Sequence, residues 1–196
     1  MAKIVKYISV LKFYRGSGNV LDQLKSNNEV LESIQKKLED YLENKRSCFP
    51  RFYFLSNDEL LEILAHSQEL DIVQLHLKTC FENLVKLEIQ QDVDIIAMFA
   101  KEGEKIPFSK PLKARGQVET WLDSLQTSMR ETLYKLMKAG LNDYNPNDRK
   151  NWVQTHYGQI VATIAQIQWC QSSEFYINEM SNNPFALQEW YDLNET

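Results

Sequence analysis

Few residues in this chain have the type and spacing that chemistry demands. A phosphate-cradling loop of the nucleotide-hydrolase kind needs glycine followed by lysine, because the ammonium must reach phosphates held by backbone N–H groups. The residues after Gly16, Gly18, Gly103, Gly116, Gly140 and Gly158 are Ser17, Asn19, Glu104, Gln117, Leu141 and Gln159. No such loop exists. Gly16-Ser17-Gly18 begins a dinucleotide-type pattern, but Leu21 stands where close helix approach wants a third glycine. A flexible turn ahead of a helix is the better reading. The chain has no C-x-x-C and no H-E-x-x-H, so neither a metal ion nor any other cofactor is expected. His66 and His76 are close enough in sequence to meet in space, yet surface or capping roles suit them better. Cys80 beside Phe81 reads as a small buried apolar residue. No spacing favours a Cys–His nucleophile, and no catalytic residue is assigned.

Asp58, Glu59 and Glu62 form the one acidic cluster with an acid–base look. A structural role explains it better. Ser56-Asn57-Asp58-Glu59 is a capping box with Ser56 at the N-cap and Glu59 at N3. Leu55 and Leu60 then occupy the hydrophobic-staple positions, and the carboxylates suit the positive end of a helix dipole. Lys105, Lys110, Lys113 and Arg115 form a basic stretch that reads as a solvated loop, or as a contact for an acidic surface.

Composition removes whole classes. Twenty-two Lys+Arg against 27 Asp+Glu, a net charge of −5 in 196 residues, is the wrong sign for generic nucleic-acid binding. The longest unbroken apolar run, Ile95 to Ala100, is far short of the roughly 18–20 residues of a membrane helix. Lys3, Lys6 and Lys12 interrupt the first apolar stretch, so no signal-peptide core is expected. Three widely spaced cysteines fit a reducing compartment. The expectation is a soluble, cytoplasmic protein with no nucleic-acid or membrane partner.

The elements that would carry these residues are mainly helical. Residues 1–19 read as a lead-in. From Val20 to Arg46, Leu24, Leu31 and Leu38 repeat at seven with Ile34 and Tyr41 as the companion row, so one seam of a long helix is apolar. Pro50 ends that helix. Phe49 to Leu55, with four aromatics in six residues, reads as an extended segment wedged into a core. Base stacking is the alternative for aromatics beside Arg51, and the acidic chain argues against it. Helices follow from Asn57 to about His66 and from about Asp71 to Phe81, the latter turning Ile72, Leu75 and Leu77 inward. Alternation at Val85, Leu87 and Ile89, again at Ile96 and Met98, and the turn at Lys101–Glu104 predict an antiparallel meander over about 84–110. Pro107 and Pro111 mark an edge strand and its end. Helix returns at Val118, stops at Gly140, and resumes from Trp152 to Met180 with Trp152 and Trp169 as core anchors. Asn182-Asn183-Pro184 leads into a short amphipathic tail. The fold expected is mainly α: an elongated helical bundle with a small β insert, organised as lead-in 1–19, one helical domain 20–180 and tail 181–196.

The run Phe49-Pro50-Arg51-Phe52-Tyr53-Phe54-Leu55-Ser56-Asn57-Asp58-Glu59-Leu60-Leu61-Glu62-Ile63-Leu64 closely resembles the signature stretch of the dynein heavy-chain linker. The resemblance extends upstream through Asn27–Lys36 and Tyr41–Arg46. Downstream it continues in His76–Lys78, Cys80–Glu82, Glu102–Glu104, Gly116–Glu119, Trp121-Leu122, Gly158–Val161, Ala165–Ile167 and Trp169. It covers roughly residues 20–175, and Ser56–Glu59 is similar to the axonemal rather than the cytoplasmic form. The resemblance implies a curved, mainly helical lever lying across a ring of ATPase modules, bending and straightening as the ring cycles. It places ATP and microtubule binding elsewhere in a much longer chain, so microtubules would be met only indirectly. The implied partners are the rest of a heavy chain with its ATPase ring, or other dynein subunits. The implied location is the cytoskeleton of a cilium or flagellum. No family catalytic residue maps here. Phe49, Pro50, Arg51, Phe52, Tyr53, Phe54, Leu55, Ser56, Asp58, Glu59, Leu60 and Leu61 are expected to be structural signature residues. Two functions follow from the resemblance: a non-catalytic force-transmitting segment of the linker, or a free-standing dynein-derived module that docks on a motor or axonemal partner.

Overall fold

A computed structural model describes residues 20–195. The chain divides into two compact units, Met1–Phe81 and Glu82–Thr196. Mainly helical architecture with a three-stranded antiparallel sheet is what the periodicity predicts.

The first unit opens with α1, Val20–Cys48, about 43 Å long at 1.5 Å per residue. Asp22 in its first turn and Lys45 and Arg46 in its last suit the helix dipole. Phe49 then leaves helical geometry at φ −134°, ψ 94°, the extended conformation that a following proline imposes. Helices α2 (Asn57–Ala65) and α3 (Leu70–Cys80) complete the unit.

Two expectations fail in this unit. The aromatic stretch is not extended. Pro50–Phe54 is a 3-10 turn, closed by Phe52 N–H donating to Phe49 O and Leu55 N–H to Phe52 O at 3.0 and 3.1 Å. Side chains three apart eclipse in that geometry, so Phe49, Phe52 and Leu55 are buried while Tyr53 and Phe54 are exposed. The inner face of α3 is also rotated from the one expected. Val73, Leu77 and Cys80 are buried, Ile72 is half-buried, and Leu75 faces solvent.

In the second unit β1 (Leu84–Ile89), β2 (Asp94–Ala100) and β3 (Lys105–Lys113) form a meander in the order β1-β2-β3. Gly103 at φ 87° makes the β2–β3 turn, a conformation glycine adopts without strain. The insert is longer than about 84–110. A bulge between Leu84 and Lys86 shifts the alternation, so Leu84 is buried and Val85 exposed. Pro111 does not end β3. The β2 register jumps from Ala97↔Pro107 to Ile95↔Leu112, so residues 108–111 bulge out and the proline's missing N–H breaks no ladder pair. The basic residues Lys105, Lys110 and Lys113 therefore lie on a strand, not a loop.

Helix α4 runs Val118–Asn142, through the expected stop. Gly140 is buried, and a Cβ there would lie 2.7 Å from Ile164 Cδ1 and 3.1 Å from Ile160 Cγ2. The glycine is a packing notch. The helical region after it is two helices, α5 (Arg149–Thr155) and α6 (Gly158–Glu179), parted at His156-Tyr157. Gly158 N–H, at the start of α6, donates to Glu104 Oε1 at 2.9 Å, which satisfies one of the N–H groups a new helix leaves open. Trp152 is a core residue, its Nε1 donating to Gly140 O at 3.0 Å. Trp169 is not. It is exposed, with its ring 5.5 Å from Trp190 on α7, Ala186–Glu195. The lead-in of residues 1–19 lies outside the described residues.

Candidate functional site: the aromatic joint

The sequence signature folds into one joint at the C-terminal end of α1. Phe49 and Phe52 meet edge to face with ring centroids 5.0 Å apart, and Phe81 approaches Phe49 at 6.3 Å. That arrangement suits the ring quadrupoles. Leu42 from α1, Leu60 and Ile63 from α2, and Leu77 from α3 are buried in the same unit. Hydrophobic burial thus closes three helices onto a five-residue turn.

Two arginines brace the joint. Arg46 Nη2 donates to Leu55 O at 3.2 Å and Asn57 Oδ1 at 2.8 Å, so the end of α1 is pinned to the start of α2. Arg51 Nη1 donates to Cys80 O at 2.8 Å and its guanidinium lies 4.7 Å from the Phe81 ring centroid. The last carbonyl of α3 thereby gains a cationic partner at the negative end of its helix. Planar guanidinium can donate and stack at once; an ammonium cannot. Sequence reasoning missed Arg46 as a brace. Its signal was a basic residue in the last turn of a helix just ahead of a proline.

The cap is as the sequence predicts. Ser56 Oγ accepts from Glu59 N–H at 3.3 Å and Glu59 Oε2 accepts from Ser56 N–H at 2.8 Å. The Ser56 backbone donor, then its hydroxyl, hold the Glu59 carboxyl below its ordinary value. Leu55 and Leu60, at the staple positions, are both buried. Asp58 is exposed in the first turn, Leu61 half-buried, and Pro50 exposed at the head of the 3-10 turn. Tyr53 reaches back to α1, donating to Glu43 Oε1 at 2.6 Å, and that bond raises its pKa first of several causes. Burial pushes the Cys80 thiol up to about 11, which makes it an inert packing group at neutral pH.

The remaining candidates disperse. His66 pairs with Glu69 at 2.8 Å and His76 with Glu62 at 3.2 Å, the latter linking α2 to α3. No group of three or more metal-capable side chains exists among the described residues. Lys105 pairs with Glu88 at 2.5 Å, Lys113 with Asp92 and Asp94 at 3.4 Å, and Arg115 with Asp92. Most of the basic stretch therefore serves cross-strand and turn pairing. No described helix is long and apolar enough to cross a membrane.

Fold and joint together define a class: a mainly helical chain whose first unit holds a capped, arginine-braced turn and whose second unit carries a three-stranded meander. Comparison with known proteins narrows the class to one family. Residues 1–140 match the model described as dynein heavy chain, N-terminal region 2. The chain is 41% identical over 196 aligned positions to human dynein axonemal heavy chain 6, covering 89% of this chain and 5% of the relative. It is 45% identical over 159 to mouse dynein axonemal heavy chain 2, covering 76% and 4%. With human dynein axonemal heavy chain 12 it shares 41% over 175, covering 88% and 6%. The chain belongs to the dynein heavy chain family. It spans about a twentieth of the length of these curated relatives.

Proposed function

We propose that this chain is a mechanical segment of a dynein heavy-chain linker, non-catalytic in itself. It passes conformational change in an ATPase ring to movement along microtubules in a cilium or flagellum. The reading takes residues 20–180 as the linker-like domain and the remainder of a heavy chain as its partner, with microtubules engaged only at second hand. Its location would be cytoplasmic, on the axonemal cytoskeleton.

One observation carries the reading: a 29-residue helix ends in a joint whose core of Phe49, Phe52, Leu55 and Leu60 is buried and whose neighbouring helix ends are pinned by Arg46 and Arg51. A lever loses work wherever it bends locally. Stiffness needs a close-packed core with few alternative rotamers and caps and charge-assisted hydrogen bonds fixing helix ends. Phe49, Phe52, Leu55, Leu60 and Leu61 supply the first. Arg51, Ser56 and Glu59 supply the second, with Arg46 added. Pro50 fixes the turn, Tyr53 ties it to α1, and Asp58 complements the α2 dipole. Phe54 is exposed and is assigned to contact with another part of the motor.

The test places residues 20–180, with and without Arg46→Ala, at the corresponding segment of an axonemal heavy chain that glides microtubules. Gliding velocity should fall severalfold in the variant while ATP turnover persists, because the cycle would run uncoupled. Unchanged velocity at unchanged turnover refutes the lever role.

The exposed apolar seam of α1 favours a second reading, a free-standing module that docks on a motor or axonemal partner. Peptides from Ser181–Thr196, sought by mass spectrometry in size-fractionated ciliated-cell extract, separate the two. Tail peptides only in very large chains support the lever. The same peptides near 23 kDa support the module.

A further inference from the structure

Helix α1 is unpacked for most of its length. Every residue from Leu21 to Tyr41 is exposed, a span of about 32 Å at 1.5 Å per residue, and burial begins only at Leu42. Helices in proteins owe most of their stability to packing one apolar face. A helix this long with its apolar face in solvent is therefore incomplete. That face is ordered. Leu24, Leu31 and Leu38 form one row at sevenfold spacing, and Asn27, Ile34 and Tyr41 form a second row three residues on. Two such rows are the core positions of a coiled coil.

The flanks of those rows decide what can cover them. Leu21, Gln23, Asn28, Val30, Gln35 and Lys37 border the seam and carry a single charge. The other seven charged residues between Val20 and Tyr41 all fall on the far side of the helix. Flanking charges are what direct a coiled-coil strand to an unlike, complementary partner. Here one lysine remains, so nothing steers α1 toward a different strand and nothing repels a like one. Asn27 adds a second constraint. Covered by an apolar residue, its amide would give up water without gaining a partner, which is costly. The same amide from a second copy, at the same level, donates and accepts in return.

We propose that α1 pairs with α1 of a second copy of this chain as a parallel, two-stranded coiled coil over Val20–Tyr41. In parallel register Asn27 meets Asn27. Antiparallel alignment of the same rows sets Leu24 against Tyr41, Leu31 against Ile34 and Asn27 against Leu38, which strands the amide. Leucine in one row with Ile34 in the other tolerates more than two strands. Asn27 outweighs that preference, because a single amide pair closes on itself across two helices. The joint sets where pairing ends: Leu42 is sealed within its own chain, so the two helices part after Tyr41. Such a pair holds two chains side by side, whichever of the two roles above each performs.

The experiment follows the full chain by sedimentation velocity over a concentration series, in a Cys48→Ser, Cys170→Ser background that removes both exposed thiols. A reversible step from 23 kDa to twice that mass is expected. Leu31→Lys should weaken it by about tenfold or more, because two ammonium groups then meet in the seam. Orientation is read by oxidative cross-linking. Leu24→Cys should cross-link to itself, and Leu38→Cys to itself, since facing core positions of a parallel coil fall within disulfide reach. A mixture of the two, one of them tagged, should give no hybrid. Asn27→Leu should tighten association and let hybrids form, as control of register is lost. The proposal is overturned by a chain that stays at 23 kDa throughout, by a species of more than two copies, or by association that Leu31→Lys leaves unmoved. Hybrids in place of self-cross-links while Asn27 is intact overturn it as well, and so does an Asn27→Leu variant that associates no more tightly than its parent.

Discussion

Phe52 and Phe54 sit two residues apart in one turn and should answer very differently to the same truncation. Phe52 is fully buried, whereas Phe54 is 67% exposed. Phe52→Ala removes a ring that its neighbours cannot collapse onto, a loss of about 3–5 kcal/mol. Phe54→Ala should stay within about 0.5 kcal/mol. Urea unfolding of both variants checks this; a Phe52→Ala loss under about 1 kcal/mol would show that the turn is not close-packed. Glu59 makes a pH-dependent claim at the same scale. Its folded pKa is depressed by the Ser56 donors, so its stabilising effect is present above the ordinary value of 4.5 and lost as pH falls through the lower folded value. Glu59→Gln keeps a capping-box acceptor but cannot titrate. Thermal midpoints between pH 3 and 6 should therefore fall less steeply in the variant than in the parent, and parallel slopes would contradict the assignment.

At the scale of elements, Gly140 makes the sharpest claim. Alanine is the better helix former by about 1 kcal/mol, yet its Cβ would meet Ile164 Cδ1, an atom of a fully buried side chain with nowhere to go. Gly140→Ala should therefore be a net loss of about 1–2 kcal/mol. Ile164→Val deletes that methyl. Alone it costs about 0.5–1.5 kcal/mol, but in the Gly140→Ala background it should cost nothing or restore stability. A double-mutant cycle by urea unfolding measures the coupling, and additivity within about 0.5 kcal/mol would mean the notch is not there. Gly140 also shows where sequence reading runs out. Helix periodicity, the capping box, the turn at Gly103 and the existence of a meander were all legible, because each depends on residues within a turn or two of one another. Local sequence does not say that Gly140 would meet a helix twenty residues on, or that Trp169 would be exposed while Trp152 is buried. The bulges that expose Val85 and carry β3 past Pro111 are invisible for the same reason: register is set between strands, not along one. The aromatic turn was misread differently. Its seven residues fit either extended or 3-10 geometry, and only the spacing Phe49, Phe52, Leu55 favoured the latter. The joint's residues were legible as a set, but the bracing by Arg46 depended on where Leu55 O and Asn57 would end up.

Over the whole molecule, the feature that most constrains function is what α1 leaves uncovered. Leu24, Leu31, Ile34 and Leu38 lie along one side of the helix and are exposed, Leu31 at 61%, while Leu42 one turn further on is sealed into the joint. The seam therefore continues a core outward. A contiguous apolar stripe of this kind is rare on a protein that works alone, and the docking reading in particular requires it to meet another surface. The isolated chain should accordingly self-associate as concentration rises, with sedimentation velocity showing species above 23 kDa. Leu24→Gln combined with Leu31→Gln should suppress that association. The same pair should leave the unfolding midpoint within about 0.5 kcal/mol at low concentration, since neither side chain is buried in the fold. A monodisperse parent chain would show that the stripe is satisfied within the chain itself, and the seam would then belong to the fold rather than to a partner. Association that survives both substitutions would shift attention to α6, where Trp169, Phe175 and Ile177 also reach solvent.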